Sequence, residues 1–206
     1  MNACFGSRTS NGTNIRHLVR QYALHCRSRS REELQFFASQ PSLAMTVEAA
    51  ALATDSGGKR DPHQRRRSRD TLSAARGALL SGLEELRRCR DFHQLLETVD
   101  RLVQNIPDLG ELYSYDTALH IGAKQGLMPE RVYLHAGTRE GARALGLPYR
   151  EQAIELWQLP TELRRLAPHE IEDFLCIFKS RLTKITVGRV ELAASRRLSS
   201  SSVNRL

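Results

Sequence analysis

The stretch from Phe92 to Val103 constrains this chain more than any other. Phe92, Leu95, Leu96, Val99, Leu102 and Val103 recur at the i, i+3, i+4, i+7 spacing of one helical face. A stripe of that kind must be buried against a partner. Asp91, just ahead of it, has the short acceptor side chain that closes a helix N-terminus. The stripe ends at Asn105-Ile106-Pro107-Asp108-Leu109-Gly110, and a second helix is expected from Glu111 through Tyr115 and Leu119 to about Lys124. A hairpin of two helices over 91–125, within an all-α helical bundle, is the fold expected.

The flanking sequence fits that class. Ile15, Leu18, Val19 and Tyr22 share a helical face; Leu34, Phe36 and Phe37, then Leu43 to Leu52 with several alanines, predict further short helices. Residues 55–69 carry Gly57, Gly58 and Pro62 and then Lys59, Arg60, Arg65, Arg66, Arg67 and Arg69, a basic loop. Ser68 is placed to cap the next helix, where Leu72, Ala75, Leu79, Leu83 and Leu86 mark one long amphipathic run. Further helices are expected over Arg131–His135 and Thr138–Leu145, and starting at Pro160 and at Pro168, because proline fits a first helical turn. No strand is expected. The polar residues 1–12 and the basic, Ser-rich residues 183–206 are expected to be wholly or partly disordered, leaving 13–182 as a single helical domain.

Charge narrows the partners. The 206 residues carry a formal net charge of +8, with a pI near 9.8. An excess of that size favours polyanions through release of their condensed counterions, so nucleic acid is the expected partner, DNA ahead of RNA. No apolar run approaches the ~20 residues of a membrane-spanning helix, and the first residues lack the apolar segment of a secretory signal. A cytoplasmic protein with no membrane partner is expected. Cys4, Cys26, Cys89 and Cys176 are scattered without CxxC spacing, so neither a metal site nor a cofactor is expected.

The hairpin turn resembles the helix-hairpin-helix motif of DNA-binding proteins. In that family an apolar residue, Pro, Gly, a second apolar residue and Gly form the turn. Its backbone N–H groups, with the positive end of the second helix, hold a DNA phosphate. Ile106, Pro107, Leu109 and Gly110 match this pattern, and Asp108 stands where the first glycine would be. Asp tolerates left-handed geometry but brings a negative charge toward the phosphate. The resemblance extends to the helix-hairpin-helix DNA glycosylases: Val132-Tyr133-Leu134-His135 stands at their Val-Asp-x-His stretch, followed by Arg139, Arg143 and Leu145-Gly146-Leu147. Their catalytic aspartate falls at Tyr133, and the lysine of the lyase members at Leu112. Tyrosine cannot stabilise a glycosyl cation as a carboxylate does, and leucine cannot form a Schiff base. The resemblance therefore implies a fold and a DNA-contacting surface without glycosylase chemistry.

Other constellations are weighed on the residues alone. Asp116, His120 and Lys124 lie at i, i+4, i+8, the spacing of a carboxylate-imidazole dyad and equally of a solvated stripe. His135-Ala136-Gly137-Thr138-Arg139 can present amides and a guanidinium to a phosphate, or Thr138 can simply cap the helix behind it. Glu170, Glu172 and Asp173 are paired carboxylates of the kind that bind a metal or do acid–base chemistry, but acids in the first turn of a helix beginning at Pro168 are expected from its dipole. Tyr113, Tyr115 and Trp157 could stack on bases, but core packing is the default reading for each.

A non-sequence-specific DNA-binding protein is expected, with contacts from Pro107, Leu109, Gly110, Gly137, Thr138, Arg139, Arg143 and the residues Lys59 to Arg69. The alternatives are a helical module that meets an acidic protein, or a nucleic-acid enzyme whose displaced site uses Asp116, His120 or His135.

Overall fold

The computed structural model describes residues 14–54, 57–59 and 67–201. The fold is all-α apart from one two-stranded sheet. The helices are α1 (Ile15–His25), α2 (Arg27–Ala38), α3 (Leu43–Ala51), α4 (Arg69–Ser81), α5 (Leu83–Arg88), α6 (Phe92–Val103), α7 (Glu111–Gln125), α8 (Ala136–Ala144) and α9 (Pro168–Ser201). The strands β1 (Val132–Tyr133) and β2 (Ala153–Ile154) pair antiparallel, Val132 opposite Ile154. Short polar side chains begin the helices where local chemistry requires them. Asp91 Oδ1 accepts from the Gln94 amide at 2.8 Å, Ser68 Oγ from Thr71 at 2.9 Å, and Asn14 Oδ1 from His17 at 2.8 Å.

Two apolar cores organise these elements. The first gathers α2 to α7: Phe37, Val47, Leu72, Leu79, Leu86, Phe92, Leu95, Val99, Tyr113 and Ile121 are its buried centre. The second joins the two ends of the chain, with Leu18 and Tyr22 of α1 packed among Ile154, Ile171, Phe174, Leu175 and Phe178. Strand β1 serves both, since successive strand residues face opposite ways. Val132 enters the second core and Tyr133 the first.

Four expectations are corrected. The amphipathic run after Ser68 is two helices divided at Gly82, the C-cap of α4 and N-cap of α5, where a Cβ would meet the Leu102 side chain of α6 at 2.5 Å. Residues 132–133 form β1 instead of a helix, and the Leu134 amide donates to Gln152 O at 2.8 Å, a partner that local periodicity does not reveal. Pro160 begins no α-helix; only a 3-10 turn follows, at Leu163–Arg165. The helix expected from Thr138 begins at Ala136, with His135 as its N-cap. Pro168 does start a helix, and α9 continues to Ser201, past Leu182 where the apolar pattern fades.

Candidate functional site

The α6–α7 turn keeps the conformation that its sequence allows. Asp108 adopts φ +67°, the left-handed geometry that glycine adopts most readily and Asp tolerates. Ile106 and Leu109 are half-buried against the first core, leaving Pro107, Asp108 and Gly110 exposed at the tip. Gly110 is the N-cap of α7 with an extended backbone (φ −133°, ψ −177°), and no side chain caps that helix start. Any residue can adopt this backbone. A Cβ at Gly110 would meet nothing within 4 Å, so glycine leaves the approach to the first α7 amides open.

The start of α8 lies beside the start of α7. Arg139 is half-buried, and its Nη2 meets Glu111 Oε1 at 2.9 Å. Two segments singled out separately in the sequence, Gly110-Glu111 and Gly137-Thr138-Arg139, are thus brought together. Thr138 itself is fully buried and is not the N-cap. Its Oγ1 accepts the His135 amide at 2.7 Å and donates to His135 O at 2.9 Å, while the His135 side chain takes the Thr138 amide. Gly137 packs on α9, where a Cβ would come within 2.8 Å of Cys176 Sγ. Arg143 is exposed on α8. Lys59 and Arg69 are exposed and Arg67 half-buried ahead of α4; Arg60, Arg65 and Arg66 lie outside the described residues.

Of the three catalytic candidates, His120 belongs to a helix interface. The His120 ring stacks on Phe37 of α2 at 3.8 Å, and its Nε2 lies 3.4 Å from Glu33 Oε1. Lys124 Nζ donates to Ala38 O at 3.1 Å and also to Gln40 O, closing the C-terminal end of α2. Asp116 is half-buried on the same helix. His120 and Lys124 thus lie in the seam between α2 and α7 rather than on a solvated face.

His135 is different. It lines a cavity of about 360 Å³ bounded by α6, α7, β1 and α8, whose walls include His93, Glu97, Asp100, Ser114, Tyr115, Tyr133 and Arg139. Behind it, Nε2 contacts Glu172 Oε1 of α9. Burial pushes the Glu172 carboxyl up to about 8 and holds the His135 imidazole down at about 4, so both lean toward their neutral forms near pH 7. Asp173 is raised to about 7, first by burial and then by the Glu172 charge, while the hydrogen bond from Tyr22 Oη at 3.1 Å pulls the other way. With its side chain taken by the Thr138 amide and by Glu172, His135 is a poor general base for anything bound in the cavity.

Glu172 and Asp173 are what the sequence did not disclose. Both were expected to be dipole-stabilising acids, a task that falls to Glu170: its Oε2 accepts the Ala167 amide at 3.1 Å and a bond from Arg27 Nη2 at 3.0 Å. The available signal was spacing, since Glu172 stands one turn ahead of Leu175 and Cys176 beside the apolar stripe of α9. Trp157, read as core, is 72% exposed. Among the described residues no group of three or more His, Cys, Asp or Glu is arranged to hold a metal ion, and no helix is long and apolar enough to cross a membrane. A scan of protein-family models, a search of curated proteins and a search of solved structures return no match for this chain.

Proposed function

We propose that this is a cytoplasmic DNA-binding protein of helix-hairpin-helix type that grips the phosphate backbone without reading sequence and performs no glycosylase chemistry. The observation that carries this reading is the Arg139–Glu111 contact, which joins the hairpin's helix start to the start of α8. The uncapped start of α7 and the Arg139 guanidinium then lie together, and backbone amides beside a guanidinium can hold a phosphate without base contacts. The open approach over Gly110, the left-handed Asp108 and the net charge of +8 support it. Cys26, Cys89 and Cys176 form no disulfide with one another, which fits a reducing compartment. Tyr133 lines the cavity at the place of the resembled family's carboxylate, and His135 is committed to Thr138 and Glu172, so the proposal includes no reaction.

The test is affinity for a short random duplex as a function of salt. Binding should weaken with a log–log slope of about −0.9 for each phosphate contacted. Arg139→Ala should lower affinity and flatten the slope by roughly one contact, and Arg65, Arg66 and Arg67 changed together to Ala should flatten it further. Asp108→Gly should tighten binding, because it removes a negative charge at the turn while keeping the geometry glycine prefers. A wild-type chain that does not bind duplex at low salt overturns the proposal.

A further inference from the structure

We propose that the cavity between α6, α7 and β1 binds a planar, delocalised organic cation of the guanidinium class, the group carried by arginine. Glu111 and Arg139 also line this cavity, so it borders the proposed DNA-contacting residues, but it selects the opposite charge and its test needs no DNA. Two aromatic rings form part of its wall, His93 and Tyr133, nearly parallel at 22° with centroids 6.2 Å apart, the spacing of an offset aromatic pair. A planar cation can lie on an aromatic face of this kind. His93 is exposed on α6 and meets Glu97 at 3.3 Å, an exposed pair worth little, so its ring can adjust to an occupant.

Charge chooses the occupant. Both arginines of the wall are already paired, Arg139 with Glu111 and Arg101 with Glu85. Among the described residues no cation lies within ion-pair distance of Asp100, whose Oδ1 accepts only from Ser114 Oγ at 2.8 Å. Glu97 has only the imidazole of His93. Two carboxylates beside a pair of rings disfavour phosphate and favour a cation. They favour guanidinium over ammonium, because a guanidinium stacks flat on an aromatic face and spreads five N–H donors in its plane. Those donors find acceptors in Asp100, in Glu97 and in the Tyr115 hydroxyl, which is buried without a hydrogen-bond partner among the described residues. A volume of about 360 Å³ is at the small end for ligand sites and suits one side chain rather than a large cofactor.

The test titrates the full-length protein, without DNA, with N-acetyl-arginine amide, using calorimetry and histidine ring NMR signals. Its lysine and citrulline counterparts and adenosine serve as comparators. The expected result is saturable binding with a dissociation constant of about 1 mM or tighter, and a shift of the His93 signals. The lysine analogue should bind at least about tenfold more weakly and the uncharged citrulline analogue not measurably. Asp100→Asn, at an exposed position where the Ser114 bond survives, should weaken the arginine analogue about fivefold or more. Tyr133→Leu should abolish it, and Asp100→Asn decides if that variant does not fold. No saturation by about 10 mM, equal binding of the citrulline analogue, tighter binding of adenosine, or indifference to Asp100→Asn would each overturn the proposal. None of these outcomes bears on whether the hairpin binds duplex DNA.

Discussion

Glu172 and His135 meet at the inner side of the cavity wall, 7% and 3% exposed, and their protonation is tied to the fold. The carboxyls of Glu172 and Asp173 are raised, so their stabilising contribution is complete at low pH and is lost as pH rises through about 7 and 8. His135 is depressed, so its contribution is complete above the ordinary imidazole range and is lost as pH falls toward about 4. Below the imidazole range His135 and His169, which burial also lowers, offset the two carboxyls. Above it only the carboxyls titrate, and stability should fall as pH goes from about 6.5 to 8. Arg29 near Asp173 and Glu111 near His135 oppose these shifts, whereas Arg139 and Lys179 reinforce that of His135. Glu172→Gln cannot ionise and still contacts His135, so it should gain on the wild type by on the order of 2 kcal/mol between pH 5.5 and 8.5. Denaturant midpoints at both pH values measure this, and a Glu172→Gln deficit that is the same at each would sink the assignment.

Elements whose causes are local were legible. The α6 period, the Asp91 and Ser68 caps and the Pro168 start each depend on a few consecutive residues, and each formed as expected. Elements decided by distant packing were not. Nothing near Gly82 announces that Leu102 will lie on it, and nothing near Val132 announces Ile154 as its partner. The candidate site divides along the same line. Asp108 and Gly110 could be read because a turn is local, whereas the burial of Thr138 and Glu172 follows from how α8 settles on α9. That packing is close: a Cβ at Gly141 would come within 2.3 Å of Leu175 O, and a backbone carbonyl inside α9 cannot move aside. Gly141→Ala should therefore cost about 1–3 kcal/mol or more and separate His135 from Glu172. Gly110→Ala, into open space with an ordinary backbone, should cost under about 1 kcal/mol. Equal losses in the two variants, by chemical denaturation, would mean that close packing of α8 on α9 is not what the glycine serves.

At the scale of the molecule, the chain leaves the second core after α1, builds the first core from α2 to α7, and returns through β1 to complete the second with α8 and α9. The first core is therefore a continuous stretch of chain, and the second is assembled from the two ends. Leu18 and Tyr22 are wholly buried in the second core, and Arg27 and Arg31 reach across to Glu170. The part after β1 should consequently need α1. A fragment of residues 26–130 keeps every buried residue of the first core except Tyr133 and is within the size range of independently folding domains. It should show a cooperative thermal transition and slow amide exchange in α6 and α7. A fragment of residues 127–206 lacks α1 and should not fold alone, but should gain protected amides when a peptide spanning residues 14–31 is added, because that peptide restores the Leu18 and Tyr22 contacts and the Arg27 and Arg31 ion pairs. A cooperative transition in residues 127–206 without the peptide would show that the second core does not depend on the chain's first helix, and the two-ended assembly would then be wrong.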